Sequence, residues 1–203
     1  MAGSLFVVSA PSGAGKTSLV NALVEQYKNV SLSVSHTTRQ AREGEVDGED
    51  YYFVTQTQFA QLCETGAFLE SAKVFDNSYG TSSEIVLSQL QAGIDVILEI
   101  DWQGAQQVRK NHPDCTSIFI LPPSRSTLEQ RLRGRGQDND EIIARRMHDA
   151  ENEMSHYVEF DHLIVNDDFS EALSDLVAVI TAQRLSLGIQ KKVQADLLVE
   201  LLA

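Results

Sequence analysis

A short apolar run that leads straight into a glycine-rich turn narrows the folds open to this chain. Residues 5–9, Leu-Phe-Val-Val-Ser, precede residues 10–17, Ala-Pro-Ser-Gly-Ala-Gly-Lys-Thr, and apolar side chains then recur at helical spacing. This order closely matches the phosphate-binding pattern GxxxxGK(S/T), which lies between a buried strand and a helix. An ordinary strand–turn–helix unit without a ligand is the alternative. The pattern favours an α/β fold that holds phosphate at the start of its first helix.

Each part of this loop, the P-loop, has a physical task in holding a nucleoside triphosphate. Gly13 and Gly15 let backbone N–H groups turn toward phosphate, and the helix N-terminus adds partial positive charge. Lys16 has the reach for the β- and γ-phosphates, and the Thr17 hydroxyl can ligate Mg²⁺. Ala10 replaces the first glycine of the pattern, and its methyl group is small enough to fit. The predicted ATP-binding residues are Ala10, Pro11, Ser12, Gly13, Ala14, Gly15, Lys16 and Thr17.

Three further apolar runs predict the rest of a parallel sheet. They span residues 96–101, 118–121 and 163–165, and each is nearly continuous, as strands covered on both faces require. Helical patterns separate them, so we expect helices on both sides of the sheet. Residues 35–85, rich in polar residues and turn glycines, predict an inserted substrate-binding subdomain. A helical pair at about residues 125–150, broken by Gly134-Arg135-Gly136, predicts a moving lid.

The formal charge of −13, with a pI near 4.7, bears on the partners of the chain. An acidic chain repels a nucleic-acid backbone on average, so we expect no nucleic acid. No apolar run approaches the ~18 residues of a membrane span, and the N-terminus lacks the basic region of a signal peptide. Cys63 and Cys115 stand far apart among apolar neighbours, as reduced packing residues do. These features favour a cytoplasmic protein without a membrane partner.

Two groups of arginines are notable in this acidic chain. Arg39 and Arg42 lie near Ser35, and arginine forks grip phosphate through paired hydrogen bonds, so the three residues can hold a nucleoside monophosphate. A solvated polar loop is the alternative for this stretch. In the second group, solvated helix residues are the alternative to phosphate contacts. That group lies in the predicted lid and comprises Arg131, Arg133, Arg135, Arg145 and Arg146.

Seven motifs follow one another along about residues 4–185. They are SAPSGAGKT, SVSHTTRQAREGEVDGEDYYFV, FLESAKVFDNSYGT, ILEIDWQGAQQVR, IFILPPS, RLRGRGQDNDEIIARRM and LIVNDD. In content and order they resemble the guanylate kinase family. The resemblance implies a P-loop kinase fold, with a parallel sheet core flanked by helices, an inserted nucleoside-monophosphate-binding subdomain and a helical lid. It also implies phosphoryl transfer from Mg-ATP to GMP, in guanine nucleotide metabolism and GMP recycling.

The resemblance further implies roles for residues on the acceptor side. A glutamate of the family, here Glu70, reads guanine, because a carboxylate can accept both N1–H and the exocyclic amine, a donor pair that adenine lacks. Thr81 is expected to contact the base, and Asp101 to contact the guanine amine or a water bound to Mg²⁺. The phosphate of GMP is assigned to Ser35, Arg39, Arg42, Tyr51 and Tyr79.

On the donor side, the resemblance assigns phosphate contacts to lid arginines and adenine contacts to Asn166 and Asp167. Phosphoryl transfer requires no nucleophilic side chain, because it depends on in-line positioning and on cations around the transferred group. The lid arginines concerned are Arg131, Arg135 and Arg146. The residues expected to act in catalysis are Lys16, Arg42, Arg135 and Arg146.

Three other functions compete with this one. A P-loop kinase for another acceptor, such as AMP or UMP, is opposed by Glu70 and the tyrosine motifs. A non-catalytic binding module is opposed by the intact Lys16 and the lid arginines. A GTP-hydrolysing switch is opposed by the lack of an Asn-Lys-x-Asp motif.

A helical tail is predicted for residues 186–203. Its leucines and valines recur at helical spacing. The pattern fits either a cap on the core or a contact with a second copy of the chain in a homo-oligomer.

Overall fold

The computed structural model describes residues 3–74, 76–134 and 140–203, which form nine strands and nine α-helices. The strands are β1 (Leu5–Ser9), β2 (Val30–Leu32), β3 (His36–Thr37), β4 (Tyr52–Phe53), β5 (Phe68–Val74), β6 (Asn77–Ser82), β7 (Asp95–Glu99), β8 (Thr116–Leu121) and β9 (His162–Val165). The helices are α1 (Lys16–Gln26), α2 (Gln56–Glu64), α3 (Ser83–Gln91), α4 (Trp102–Asn111), α5 (Arg125–Arg133), α6 (Asp140–Ser155), α7 (Phe169–Arg184), α8 (Leu187–Val193) and α9 (Ala195–Leu202).

Five parallel strands form the core sheet, in the order β2-β7-β1-β8-β9. The predicted parallel sheet is confirmed, and its predicted strands are β1, β7, β8 and β9. The edge strand β2 is an addition, because three residues are too few to show a pattern. β1 lies between β7 and β8, and the three strands are parallel, so the loops that follow them lie at the same edge of the sheet. Ligands of such folds bind at this edge.

Helices cover both faces of the core sheet. In β1, Phe6 and Val8 point to one face, and Leu5 and Val7 point to the other, as the two-residue period of a strand requires. The first face packs on α1 and α7, and the second packs on α3 and α4. This double cover is why the core strands have nearly continuous apolar sequences.

A second sheet, of four strands in the order β4-β3-β6-β5, comes from the chain between β2 and α3. β5 and β6 form an antiparallel hairpin, and β3 pairs with β6 on one side and with β4 on the other. The ring of Phe59 on α2 lies 4.8 Å from that of Phe68 on β5, so α2 packs against this sheet. The second sheet falls inside the insertion predicted over residues 35–85, whose limits stay a prediction.

α5 and α6 form a helical pair with a small apolar cluster of its own. α5 lies in the lid predicted at about residues 125–150, and α6 begins there and continues beyond it to Ser155. The limits and the movement of the lid stay predictions. Residues 135–139, which include Arg135, lie outside the described residues. The cluster comprises Leu128, Leu132, Ile143, Met147 and Ala150.

The C-terminal helices differ in how they pack. α7 lies on the core sheet through Ala172, Leu176 and Ile180. In the described ranges, no single helix has the length and apolar character to cross a membrane, and α7 and α8 meet that test only as a pair bent by 58°. α9 leaves large apolar side chains in solvent. These are Leu197, Leu198, Val199, Leu201 and Leu202.

Candidate active site

The P-loop takes a conformation that requires glycine at two positions. Gly13 and Gly15 have φ angles of 94° and 93°, in the left-handed region. A Cβ on Gly15 would also lie 2.3 Å from Nδ2 of Asn166. That amide donates to the carbonyl of Ala14 at 2.7 Å, so the residue after β9 braces the loop.

Lys16 and Thr17 begin α1 beside the end of β7. Nζ of Lys16 donates to the carbonyl of Ile100 at 3.1 Å, and the Thr17 hydroxyl donates to the carboxylate of Glu99. β1 and β7 are parallel neighbours, which brings the residues that follow them together. A cation and a hydroxyl therefore stand at the carboxyl edge of the sheet.

A cleft with a volume of ≈ 330 Å³ joins the P-loop to the second sheet. The P-loop residues apart from Ala14 line one side of it, and residues of the second sheet and of the end of β7 line the other. Donor and acceptor residues predicted from distant parts of the sequence thus face one space. The predicted acceptor residues on its walls are Ser35, Tyr51, Glu70, Tyr79 and Asp101.

Glu70 is a carboxylate buried at the wall of this cleft, with 4% of its surface exposed. Its Oε1 accepts a hydrogen bond of 2.6 Å from the Thr81 hydroxyl. Burial raises the pKa of Glu70 to about 7, with a smaller upward contribution from Asp101, whereas the Thr81 hydrogen bond lowers it. On its other side, Oε2 lies so near the backbone of Gly104 that a Cβ there would be 2.6 Å away.

Thr81 and Asp101 hold different positions around Glu70. Thr81 is fully buried, and its hydroxyl lies 3.4 Å from that of Ser35 on the cleft wall. Asp101 caps α4, because its Oδ1 accepts from the N–H of Gly104 at 2.8 Å. Thr81 therefore orients Glu70 from behind, while Asp101 reaches the cleft.

Arg39 and Arg42 both engage Glu45. Nη1 and Nη2 of Arg39 donate to the two oxygens of Glu45 at 2.9 and 2.8 Å, and the backbone N–H of Arg42 donates at 2.7 Å. Hydrogen bonding from Arg39 lowers the pKa of Glu45 to about 2. The Arg39 guanidinium also lies 5.2 Å from the ring centre of Tyr51, which lines the cleft. The Arg42 side chain is exposed and does not line the cleft.

A second pocket, of ≈ 300 Å³, shares Gly13 and Gly15 with the cleft. Asn166, Asp167 and Arg131 line it, so the residues predicted for adenine and one lid arginine come together there. Arg131 donates to the Asn166 carbonyl at 3.0 Å and to that of Ala14 at 3.4 Å. These carbonyl contacts fix α5 against the P-loop.

α6 reaches the P-loop through Ser12. Nη2 of Arg146 donates to Oγ of Ser12 at 2.8 Å. Oε2 of Glu153 accepts from the backbone N–H of Ser12 at 3.1 Å. Glu153 was not predicted from the sequence, although it lies two helical turns after Arg146 and so on the same face. That spacing was the available signal. Arg135, predicted for catalysis, lies outside the described residues.

The oxygen atoms near the end of β7 are of the type that coordinates magnesium. Glu99 and Asp101 supply carboxylate oxygens and Thr17 a hydroxyl, and all three residues line the cleft. Mg²⁺ prefers oxygen ligands and is held by one or two protein groups together with phosphates and water. In the described part of the chain, no group of three or more His, Cys, Asp or Glu is placed to hold a metal ion. The oxygen atoms of Thr17, Glu99 and Asp101 are therefore of the kind that binds Mg²⁺ together with phosphate and water.

Comparisons with known proteins identify the relatives of this chain. The family model described as guanylate kinase matches residues 2–183. The chain is 59% identical over 202 residues to a guanylate kinase of Alkalilimnicola ehrlichii and 58% identical over 202 residues to one of Nitrosococcus oceani, with 100% of both sequences covered in each pair. Its fold matches the crystal structure of guanylate kinase from Anaplasma phagocytophilum with a TM-score of 0.78 and 33% identity, over 95% of this chain and 94% of that one.

Proposed function

The chain belongs to the guanylate kinase family, and on that basis we propose that it transfers the γ-phosphoryl group of Mg-ATP to GMP, giving ADP and GDP. The observation that carries the proposal is the buried carboxylate of Glu70 in the same cleft as the P-loop. Two adjacent N–H donors of guanine suit a carboxylate, so Glu70 selects the base.

The rest of the acceptor site holds the sugar phosphate. Tyr51 and Tyr79 line the cleft with their ring centres 6.0 Å apart. Arg39 lies next to the ring of Tyr51 and is already oriented by Glu45, and its guanidinium suits a phosphate. Ser35 completes the wall, and Arg42 enters by a change of side-chain conformation, since it is exposed here.

The donor site holds ATP across the P-loop. Adenine enters the pocket of Asn166 and Asp167, and the phosphates pass over Gly13 and Gly15 to Lys16. The N–H groups at the start of α1 face those phosphates. Arg131 and Arg146, which already contact the loop, add positive charge from α5 and α6, and Arg135 is proposed to do the same.

The chemistry follows from placing two anions in one water-poor space. Lys16 and the arginines stabilise the charge that spreads over the transferred group, and no side chain acts as a nucleophile. Thr17, and Asp101 through a water molecule, would hold Mg²⁺, which would supply positive charge that neutralises part of the phosphate charge. Closure of α5 and α6 over the cleft excludes water, which otherwise attacks ATP.

A coupled assay of ADP formation tests this proposal. It is run with GMP, AMP, UMP or no acceptor, on the wild-type chain and on Glu70→Ala. We expect turnover with GMP alone and its loss in the variant, because the base then lacks its acceptor oxygens. A chain inactive with every acceptor would be a binding module instead, and equal turnover of AMP would make it a different P-loop kinase.

A further inference from the structure

Glu153 is a carboxylate of α6 that contacts the phosphate-binding loop itself. Its Oε2 accepts from the backbone N–H of Ser12 at 3.1 Å, and its side chain lines the cleft beside Lys16 and Asp101. A carboxylate next to a phosphate site repels the phosphate unless nearby cations and hydrogen bonds offset its charge. We propose that Glu153 is a positioning residue for the donor, which fixes the first half of the P-loop and docks α6 beside the ATP phosphates. The proposal rests on the function proposed above.

Ser12 is held from α6 at two points. Arg146 donates to its hydroxyl at 2.8 Å, while Glu153 accepts from its backbone. The two α6 residues lie seven positions apart, which places them on one face of the helix. One hydrogen bond therefore orients the backbone of Ser12 and the other orients its side chain.

The N–H groups of the loop are divided between protein and ligand. Those of Ser12 and Ala14 donate to Glu153 and to the carbonyl of Pro11, respectively. In the described ranges, no protein acceptor is found for the N–H groups of Gly15 and Lys16, at the start of α1. Glu153 thus occupies the half of the loop that precedes the helix and leaves the helix N-terminus to phosphate.

Lys16 offsets the charge of Glu153. Burial raises the pKa of Glu153, and the hydrogen bond from Ser12 and the nearby Lys16 both oppose that rise. The same lysine is expected to reach the donor phosphates. Lys16 therefore lies near the carboxylate and within reach of the expected phosphates, and its positive charge reduces the repulsion between them.

Three variants separate this role from a general effect on folding. Glu153→Ala removes the acceptor, Glu153→Gln removes the charge but keeps an acceptor oxygen, and Glu25→Ala removes an exposed carboxylate from α1 as a matched control. For each we measure the KM for ATP, the KM for GMP, and ADP binding by isothermal titration calorimetry without GMP.

We expect Glu153→Ala to raise the KM for ATP and weaken ADP binding by about tenfold or more, because a charge-assisted hydrogen bond to the loop is lost. Its KM for GMP stays near that of the wild type. Glu153→Gln recovers ATP binding to within roughly threefold, since its amide oxygen can accept from Ser12.

Two results would overturn the proposal. A Glu153→Ala variant that binds ATP more tightly would make the carboxylate a competitor of phosphate, and one that raises both KM values alike would make its effect a general one. Wild-type turnover of GMP in the same assay keeps these results apart from a failure of the proposed function, and ADP binding needs no turnover at all.

Discussion

Glu70 is buried, although the guanine binding proposed for it requires a charged carboxylate. Burial raises its pKa to about 7, so near neutral pH the ligand-free carboxyl is only partly ionised. A protonated carboxyl carries its own O–H donor and cannot accept two N–H groups equally well. The proposed binding of guanine would therefore favour the ionised form of Glu70.

This predicts a pH dependence of the KM for GMP. As the pH falls below about 7, the fraction of ionised Glu70 falls, and the KM rises by about tenfold per pH unit. Above pH 7 the KM is flat, because the carboxylate is then ionised. Steady-state kinetics from pH 5.5 to 8.5, in about half-unit steps, measures the profile.

Glu70→Gln is the control for that profile, because it keeps the shape of the side chain and removes its titration. The phosphate of GMP, which titrates near about 6 as phosphomonoesters do, still contributes in the variant. An inflection near pH 7 that survives in Glu70→Gln would assign the titration to another group.

Gly104 fixes the place of the same carboxylate through its lack of a side chain. In Gly104→Ala, the new Cβ would lie 2.6 Å from Oε2 of Glu70, so the carboxylate must move away from its position beside Thr81. We expect the KM for GMP to rise about tenfold, with the KM for ATP unchanged. The preference for GMP over inosine monophosphate, which lacks the exocyclic amine, should fall as well.

Steady-state kinetics with both nucleotides tests that prediction, with Gln103→Ala, on the same turn of α4, as the neighbouring control. Equal losses with GMP and inosine monophosphate would mean that Gly104 matters for packing and not for reading the base. An unchanged preference in the presence of a normal KM would mean that Glu70 tolerates the displacement.

At the scale of elements, α5 packs against the P-loop at Gly13. The fully buried Leu132 lies so close to Gly13 that a Cβ there would be 3.0 Å from its Cδ2. Leu132→Ala leaves a cavity at this point and should lower the free energy of unfolding by about 2–5 kcal/mol. The exposed Leu187→Ala should change it by less than about 0.5 kcal/mol. Urea denaturation of both variants measures the difference, and equal stabilities would contradict this account of α5.

The core elements were predictable because their burial is recorded in continuous apolar runs. β1, β7, β8 and β9 are covered on both faces, so their sequences differ from the polar loops around them. β3 and β4, with two residues each, are too short for any period to appear. The order of the core sheet also required the structure, since the parallel pairing of β2 with β7 spans distant residues.

Parts of the candidate site that consist of a continuous sequence motif were predictable, and contacts set by loop conformation or by helix docking were not. The P-loop follows from its own residues, and Glu70 follows from family motifs. The ion pair of Arg39 with Glu45 and the grip of Glu153 on Ser12 depend on loop conformation and on helix docking. The seven-residue spacing of Arg146 and Glu153 indicates a shared face of α6, but it does not specify that this face meets Ser12. No spacing rule specifies the pairing of Arg39 with Glu45.

At the scale of the whole molecule, the exposed leucines of α9 predict self-association. Leu201 and Leu202 expose 69% and 84% of their surfaces, and apolar side chains grouped in this way favour contact with a second copy. The net charge of −13 opposes that contact, so association should strengthen when salt screens the charge.

Sedimentation velocity across protein concentrations and salt tests this expectation. The wild type should show a concentration-dependent increase in mass, and the double variant Leu201→Glu with Leu202→Glu should remain a monomer. A wild type that is monomeric throughout would leave the tail as a solvent-exposed extension, and identical behaviour of both proteins would place the contact elsewhere.

The second sheet comes from one uninterrupted stretch of chain, whereas the P-loop comes from another. Genetic recombination can therefore replace that stretch as one segment, with one junction after β2 and another before α3. Under the function proposed above, such a recombination would change which nucleoside monophosphate is accepted and leave the residues proposed for ATP unchanged. Glu70 of the exchanged segment packs against Gly104 of the remaining chain, so a new segment must be sterically compatible with this position. If the second sheet holds the acceptor as proposed, exchange of this one stretch is sufficient to alter acceptor choice while the P-loop stays the same.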